Sequence, residues 1–156
     1  MDKRHFRSVL GKFATGVTIV TTMENQHPKG ITANSFTSVS LEPPLVLFCL
    51  GKDSTNYQAF NMANFFAINI LSNEQTELSN RFATFDGDRF NGVNWECWET
   101  GAPILNGAIA AIDCRKKELI DAGDHIIILG EVLRAEKLSE QDPLIYFNGK
   151  YAKIRD

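Results

Sequence analysis

Residues 108–138 read "AIAAIDCRKKELI-DAGD-HIIILGEVLRAEKL", two long β-branched runs on either side of a four-residue polar break. A break of this length containing Gly between two such runs is a hairpin signal, so the stretch predicts a long antiparallel ribbon turning at 121–124. "PLIYF" and "YAKI" flank Asn148-Gly149, a second hairpin signal near the end of the chain. "GVTIVTT" (16–22), "PLVLFCL" (44–50) and "FFAINIL" (65–71) read as further strands, the last two buried on both sides. The tally is about seven strands with two or three short helices. No βαβ alternation and no G-x-G-x-x-G after a strand is present, which argues against a dinucleotide fold of the doubly wound type. So many strands in 156 residues favour a barrel, because closure removes exposed edges.

The helical expectations are local. Phe6, Val9, Leu10 and Phe13 recur at helical spacing behind Asp2 as N-cap. Ser54 is placed to cap a short helix that turns Tyr57 and Phe60 inward, and Ser72/Asn73 to cap one carrying Leu78, Phe82 and Phe85. "ENQHPKG" (24–30) reads as a turn and "DGDRFNGVNWE" (86–96) as the main loop.

Composition narrows the function. With 44% hydrophobic and 22% charged residues the chain is an ordinary globular domain, expected to be a single one over 1–156. The net charge of -3 argues against nucleic-acid or anionic-membrane partners. Cys49, Cys97 and Cys114 stand far apart with no C-x-x-C, so no metal site or disulfide framework is expected. The charged N-terminus is not a signal peptide, which leads to an expectation of a soluble, cytoplasmic protein.

Three places carry chemistry. From Gly30 to Leu41 the parity sets Ile31, Ala33, Val39 and Leu41 on one face of a strand and Thr32, Asn34, Ser38 and Ser40 on the other, with a bend at Phe36. Hydroxyls and an amide at alternate positions, roughly 6.5–7 Å apart, suit an extended polar ligand better than a metal, with a solvent-facing strand as the plainer reading. "GKDSTN" puts Lys52, Ser54 and Thr55 at a helix mouth, where a phosphate is readily accepted or a bare cap suffices. His125 opens a strongly apolar strand after a tight turn, suited to one hydrogen bond at a barrel rim. Arg81 stands near a helix end and within reach of a phosphate or of solvent, and Tyr151 near a rim. No nucleophile signature surrounds the histidine, so hydrolytic chemistry is unsupported.

"FATGVTIVTT", "GITANSFTSVSLEPPLVLFCL", "FAINIL", "LSNRFA", "GAPILNGAIAAIDC", "AGDHIIILGEV" and "PLIYFNGKYAKI" follow one another from Phe13 to Ile154. As an ordered set they closely resemble the short-chain flavin reductases, the reductase components of two-component flavin-dependent monooxygenases. The resemblance implies a mainly β fold, a split β-barrel of the FMN-binding type with a few peripheral helices, usually a homodimer. It implies hydride transfer from NADH or NADPH to FAD or FMN, with reduced flavin passed to a partner oxygenase. Carried onto this chain, it sets Thr32, Ala33, Asn34, Ser35, Ser38, Val39 and Ser40 along the flavin ring and ribityl chain. Ser54, Thr55 and Lys52 fall at the flavin phosphate, Arg81, Phe82 and Ala83 at the phosphate or adenine end. His125 and Tyr151 fall at the nicotinamide mouth, His125 as the group that orients the nicotinamide. Two rivals are a split-barrel electron carrier or oxidase without free-flavin turnover, and a non-enzymatic binding barrel.

Overall fold

The computed structural model describes residues 1–155. In chain order these form α1 (Lys3–Leu10), β1 (Thr15–Gly16), β2 (Thr18–Glu24), β3 (His27–Ala33), β4 (Thr37–Leu41), β5 (Pro44–Gly51), α2 (Tyr57–Met62), β6 (Phe65–Ile70), α3 (Thr76–Thr84), β7 (Trp95–Cys97), β8 (Pro103–Leu105), β9 (Ala110–Ala122), β10 (His125–Lys137), β11 (Ile145–Phe147) and β12 (Lys150–Ala152). Seven strands make one antiparallel sheet in the order β3-β2-β6-β9-β10-β5-β4. The five others are short and build two side sheets, β1-β11-β12 and β7-β8, so the described residues hold twelve strands against about seven expected. The β11–β12 hairpin is the one read at Asn148-Gly149, whereas β1, β7 and β8 are two or three residues long and carry no period.

The β9–β10 ribbon is the spine. His125 pairs with Ala122 across a two-residue turn in which Gly123 adopts φ 69°, so the strands run further into the 121–124 break than the sequence suggests. The Asn148-Gly149 turn forms as read, with φ of 54° and 76°. A third turn of this kind, Asn25-Gln26 with φ 50° and 67°, makes residues 27–30 part of β3 rather than of a turn. Polar residues that tolerate the left-handed region do there what Gly usually does.

The polar stretch 30–41 is two strands, not one. β3 ends at Ala33 on one edge of the seven-stranded sheet and β4 begins at Thr37 on the other, so residues 34–36 cross between the edges. The chain does leave its strand near Phe36. The crossing curls the sheet until Ile31 and Ala33 of β3 share a core with Val46, Phe48 and Leu50 of β5 and Ile126 and Ile128 of β10. The barrel is therefore split and bridged by a connector, in which the Ser35 Oγ receives the Cys49 amide at 2.9 Å. The face assignment fails beyond the crossing: Val39 and Leu41 are exposed on β4.

Alternation sets the interior. On β5 Val46, Phe48 and Leu50 point in while Leu47 and Cys49 are half-covered, so this strand is not buried on both faces as its apolar run suggests. β6 is: Phe66, Ala67, Ile68 and Asn69 are all buried. Gly130 has a packing reason, since a Cβ there would stand 2.4 Å from the Phe66 Cζ. A second core lies outside the barrel, where Ile19 and Leu71 meet Phe82 of α3, Phe90 and Leu144. Asn69 knots the two layers, donating to the Ile19 and Pro103 carbonyls at 3.1 and 3.4 Å and accepting from the Leu105 amide at 2.8 Å.

Helix boundaries depart from the cap readings. Asp2 caps α1, accepting from the Arg4 amide at 3.1 Å. The two other caps are corrected: α2 starts behind Asn56 and α3 behind Gln75, neither with a side-chain cap bond. Ser54 and Ser72 instead receive the amides of Asn56 and Glu74 in the preceding turns. Phe85 falls past the end of α3 and is exposed.

Candidate functional site

A cleft of about 520 Å³ opens where the ends of β3, β5 and β10 meet α3 and the 86–91 loop. That volume lies in the range of small-molecule sites. It is lined by Thr32, Ala33, Asn34 and Ser35 of the crossing, Ser54 and Thr55 of the turn after β5, Phe82 and Ala83 of α3, and His125. Nine of the fifteen residues named from the sequence thus converge on one hollow, from segments up to 93 positions apart in the chain.

The walls are tied together through one carbonyl. The Gly30 oxygen accepts from Asn56 Nδ2 and from Arg89 Nη1, each at 3.0 Å, which fastens the 53–56 turn and the 86–91 loop to β3. The Phe82 ring lies on the same glycine; a Cβ at Gly30 would stand 2.8 Å from its Cε1. The bulky ring can wall the cleft only because Gly30 has no side chain.

Several predicted polar groups are partly spent inside the protein. Thr32 Oγ1 donates to the Ser79 carbonyl at 2.6 Å, anchoring α3, and Ser35 holds β5. Asn34, Ser54 and Thr55 keep capacity towards the cleft. His125 is oriented by its neighbour: Nδ1 stands 2.7 Å from Asp124 Oδ1, leaving Nε2 on the Gly51 side. That contact holds the Asp124 carboxyl below its ordinary range.

The remaining six lie elsewhere. Ser38, Val39 and Ser40 are on edge strand β4, away from the cleft. Lys52 pairs with Asp121 beside the hairpin turn, and its amide donates to the Asp124 carbonyl at 2.9 Å. Arg81 turns away, binding the carbonyls of Arg89, Asp88 and Asn91 at 2.7, 3.0 and 2.9 Å, so it braces the loop instead of reaching an anion in the cleft. Tyr151 lines an adjoining hollow of about 380 Å³ that shares Thr32, Asn34 and Ala83 with the cleft. Its hydroxyl meets Ser79 Oγ at 2.7 Å and donates to Asn80 Oδ1 at 3.0 Å.

The sequence reading missed Arg89, Asp53, Gly51 and Cys49, all in the cleft wall. Arg89 is the cleft's cation; burial depresses its pKa, opposed by Asp86 beside it. Its signal was its place in the polar, Gly-bearing loop, since loops on a rigid scaffold are where binding residues concentrate.

Residues 10–155 match the model of the flavin reductase like domain. The chain belongs to this family. A reductase subunit of a flavin-dependent monooxygenase, HsaB of Rhodococcus jostii, is 42% identical over 99% of this flavin reductase–like chain and 79% of its own. The NADH-dependent FMN reductase SmoA of Agrobacterium fabrum is 46% identical, over 98% and 87%. Among solved structures, the NADH:FAD oxidoreductase SgcE6 of Streptomyces globisporus, in complex with NAD and FAD fragments, superposes with TM-score 0.93 at 40% identity, over 99% and 93%. The mainly β split barrel expected from the sequence is the fold of this family.

Proposed function

We propose that this flavin reductase–like chain is an NADH:flavin oxidoreductase whose cleft receives FMN or FAD and whose reduced flavin serves a separate monooxygenase. The observation that carries the reading is the convergence of Thr32–Ser35, Ser54–Thr55, Phe82–Ala83 and His125 on one cleft. The donor set fits flavin. Asn34 and the hydroxyls of Ser54 and Thr55 offer neutral hydrogen bonds to ring edge, ribityl chain and phosphate, Arg89 offers a cation, and Phe82 an apolar wall. The flavin, when bound, accepts the hydride and supplies the electronics.

The chain's part is positional. It holds two partners at near-attack distance, a task that needs no nucleophile. His125, steered by Asp124, orients the nicotinamide and transfers no proton. The His125→Ala variant, followed by stopped-flow NADH mixing and by flavin titration, should reduce flavin at least about tenfold more slowly with flavin affinity nearly unchanged. Collapse of flavin affinity would make His125 a flavin-binding residue and refute this role.

The working form we propose is a cytoplasmic homodimer of single-domain subunits. α1 buries none of its residues, and Phe6, Val9, Leu10 and Phe13 are 48, 53, 55 and 78% exposed. An amphipathic helix with its apolar stripe uncovered calls for a partner surface, as do Val39 and Leu41 on edge strand β4. Placing β4 at a subunit boundary would also give Ser38, Val39 and Ser40 a route to flavin that they lack within one chain. The three free cysteines suit a reducing compartment. Mass by light scattering at micromolar concentration should return the dimer, and a monomer throughout would refute it.

A further inference from the structure

At the His125 end of the cleft a carboxyl oxygen and an imidazole nitrogen face one another across a glycine. Gly51 pairs with His125 in the β5–β10 register, and a Cβ at Gly51 would meet just two side-chain atoms, Asp53 Oδ1 at 2.9 Å and His125 Nε2 at 3.7 Å. The absent side chain leaves a notch with these atoms on its flanks. The turn carrying Asp53 is held in place by the Lys52 amide on the Asp124 carbonyl at 2.9 Å and by the Ser54 amide on the Gly51 carbonyl at 3.1 Å. Of the charges nearby, Lys52 pairs with Asp121, Asp124 meets His125 Nδ1, and Arg89 is anchored through Nε and Nη1 on the Phe85 and Gly30 carbonyls. Asp53 has no ion pair or side-chain hydrogen bond among the described residues, yet it lines the cleft.

With Nδ1 engaged by Asp124, Nε2 is the imidazole nitrogen left facing the notch. The Asp53 Oδ1 opposite it is an acceptor that no side chain of the described residues satisfies. A primary amide supplies the complement, since its NH₂ donates to Asp53 while its second N–H or its carbonyl oxygen meets Nε2 in either tautomer. Resting on the reading of the cleft as a nicotinamide–flavin site, we propose that Asp53 is a specificity-determining residue that, with His125, recognises the carboxamide of the nicotinamide. A deamidated dinucleotide, with a carboxylate in place of the amide, brings no donor and sets its negative charge against Asp53. A site built to bond an N–H rejects the analogue lacking it more strongly than an apolar pocket rejects a change of size.

The test is equilibrium binding without turnover: calorimetric titration of NAD⁺ and of its deamidated analogue, nicotinic acid adenine dinucleotide, into protein saturated with oxidised flavin. The wild type should prefer NAD⁺ by about 100-fold. Asp53→Asn should weaken NAD⁺ about tenfold, tighten the acid analogue and bring the two affinities within a few-fold. Asp53→Ala should lose the preference likewise. Both should keep the wild-type melting temperature, since Asp53 is exposed. An unchanged preference in both variants, with flavin bound normally, overturns this role alone. A wild type that reduces flavin with NADH but binds both dinucleotides equally overturns it too, whereas failure of the wild type to bind NAD⁺ or oxidise NADH overturns the underlying reading as well.

Discussion

Asn69 offers a direct measure of what holds the barrel to its outer layer. Its side chain is fully buried and saturated: the amide nitrogen reaches the Ile19 carbonyl at 3.1 Å, Thr21 Oγ1 at 3.3 Å and the Pro103 carbonyl at 3.4 Å, and the oxygen accepts from the Leu105 amide at 2.8 Å. Asn69→Leu keeps the branching at Cγ and removes every side-chain bond. Thr21 Oγ1 still donates to the Pro103 carbonyl at 2.6 Å, but the buried Leu105 amide loses its acceptor. One orphaned buried donor costs about 1–3 kcal/mol, and the lost neutral bonds bring the total to about 2–4 kcal/mol. For a chain of this size that lowers Tm by about 5–15 °C.

Asn69→Asp separates bonding from charge. One oxygen can still accept from Leu105, while the other faces the Ile19 and Pro103 carbonyls and must keep its proton. Its folded pKa is then raised above the unfolded value of about 3.9, so stability is greatest below that pH and is lost as pH rises towards the folded pKa. Urea unfolding at pH 4.5 and pH 7.5 should show a pH-dependent deficit for the Asp variant beyond the wild-type trend and no such excess for the Leu variant. A Leu variant within about 0.5 kcal/mol of wild type would refute the reasoning, because it would mean that the Leu105 amide finds another partner at no cost.

Three other outcomes follow from the packing. Gly130→Ala places a Cβ 2.4 Å from Phe66 Cζ and should destabilise by about 1–3 kcal/mol, with much of the loss restored by adding Phe66→Leu; a non-additive double-mutant cycle in urea checks it. Burial raises the pKa of Asp113, against the lowering effect of its bonds from Thr100, so its contribution is lost as pH rises from about 4 through the folded pKa; Asp113→Asn should flatten that part of the stability–pH curve. Thiol titration should label exposed Cys97 first, label Cys49 more slowly and less still with flavin in the cleft, and reach Cys114 only on unfolding, since burial and Asp113 push its pKa up to about 12.

The long ribbon, its turn and the Asn148-Gly149 hairpin were readable because period-two runs and turn residues are local signals. The crossing at 34–36 was not. Asn34, Ser35 and Phe36 continue the alternation of their neighbours well enough to pass for strand, and only the distant pairings of β3 with β2 and β4 with β5 reveal opposite edges. Site residues read from contiguous motifs, such as Thr32–Ser35 and His125, came together because each ends a strand at the same rim. The directions of Arg81 and Lys52 were not legible, because a long cation is turned by tertiary acceptors, here three loop carbonyls and Asp121. The apolar stripe of α1 likewise says that a face wants covering, not which surface covers it.

The central claim is tested most directly by following NADH oxidation at 340 nm with purified protein, with and without added FMN or FAD. Turnover that depends on added flavin and saturates with it is the predicted result, and it ranks the two flavins in the same experiment. NADH left unoxidised with either flavin would contradict the account, leaving an electron carrier if the protein retains flavin and a plain binding barrel if it does not.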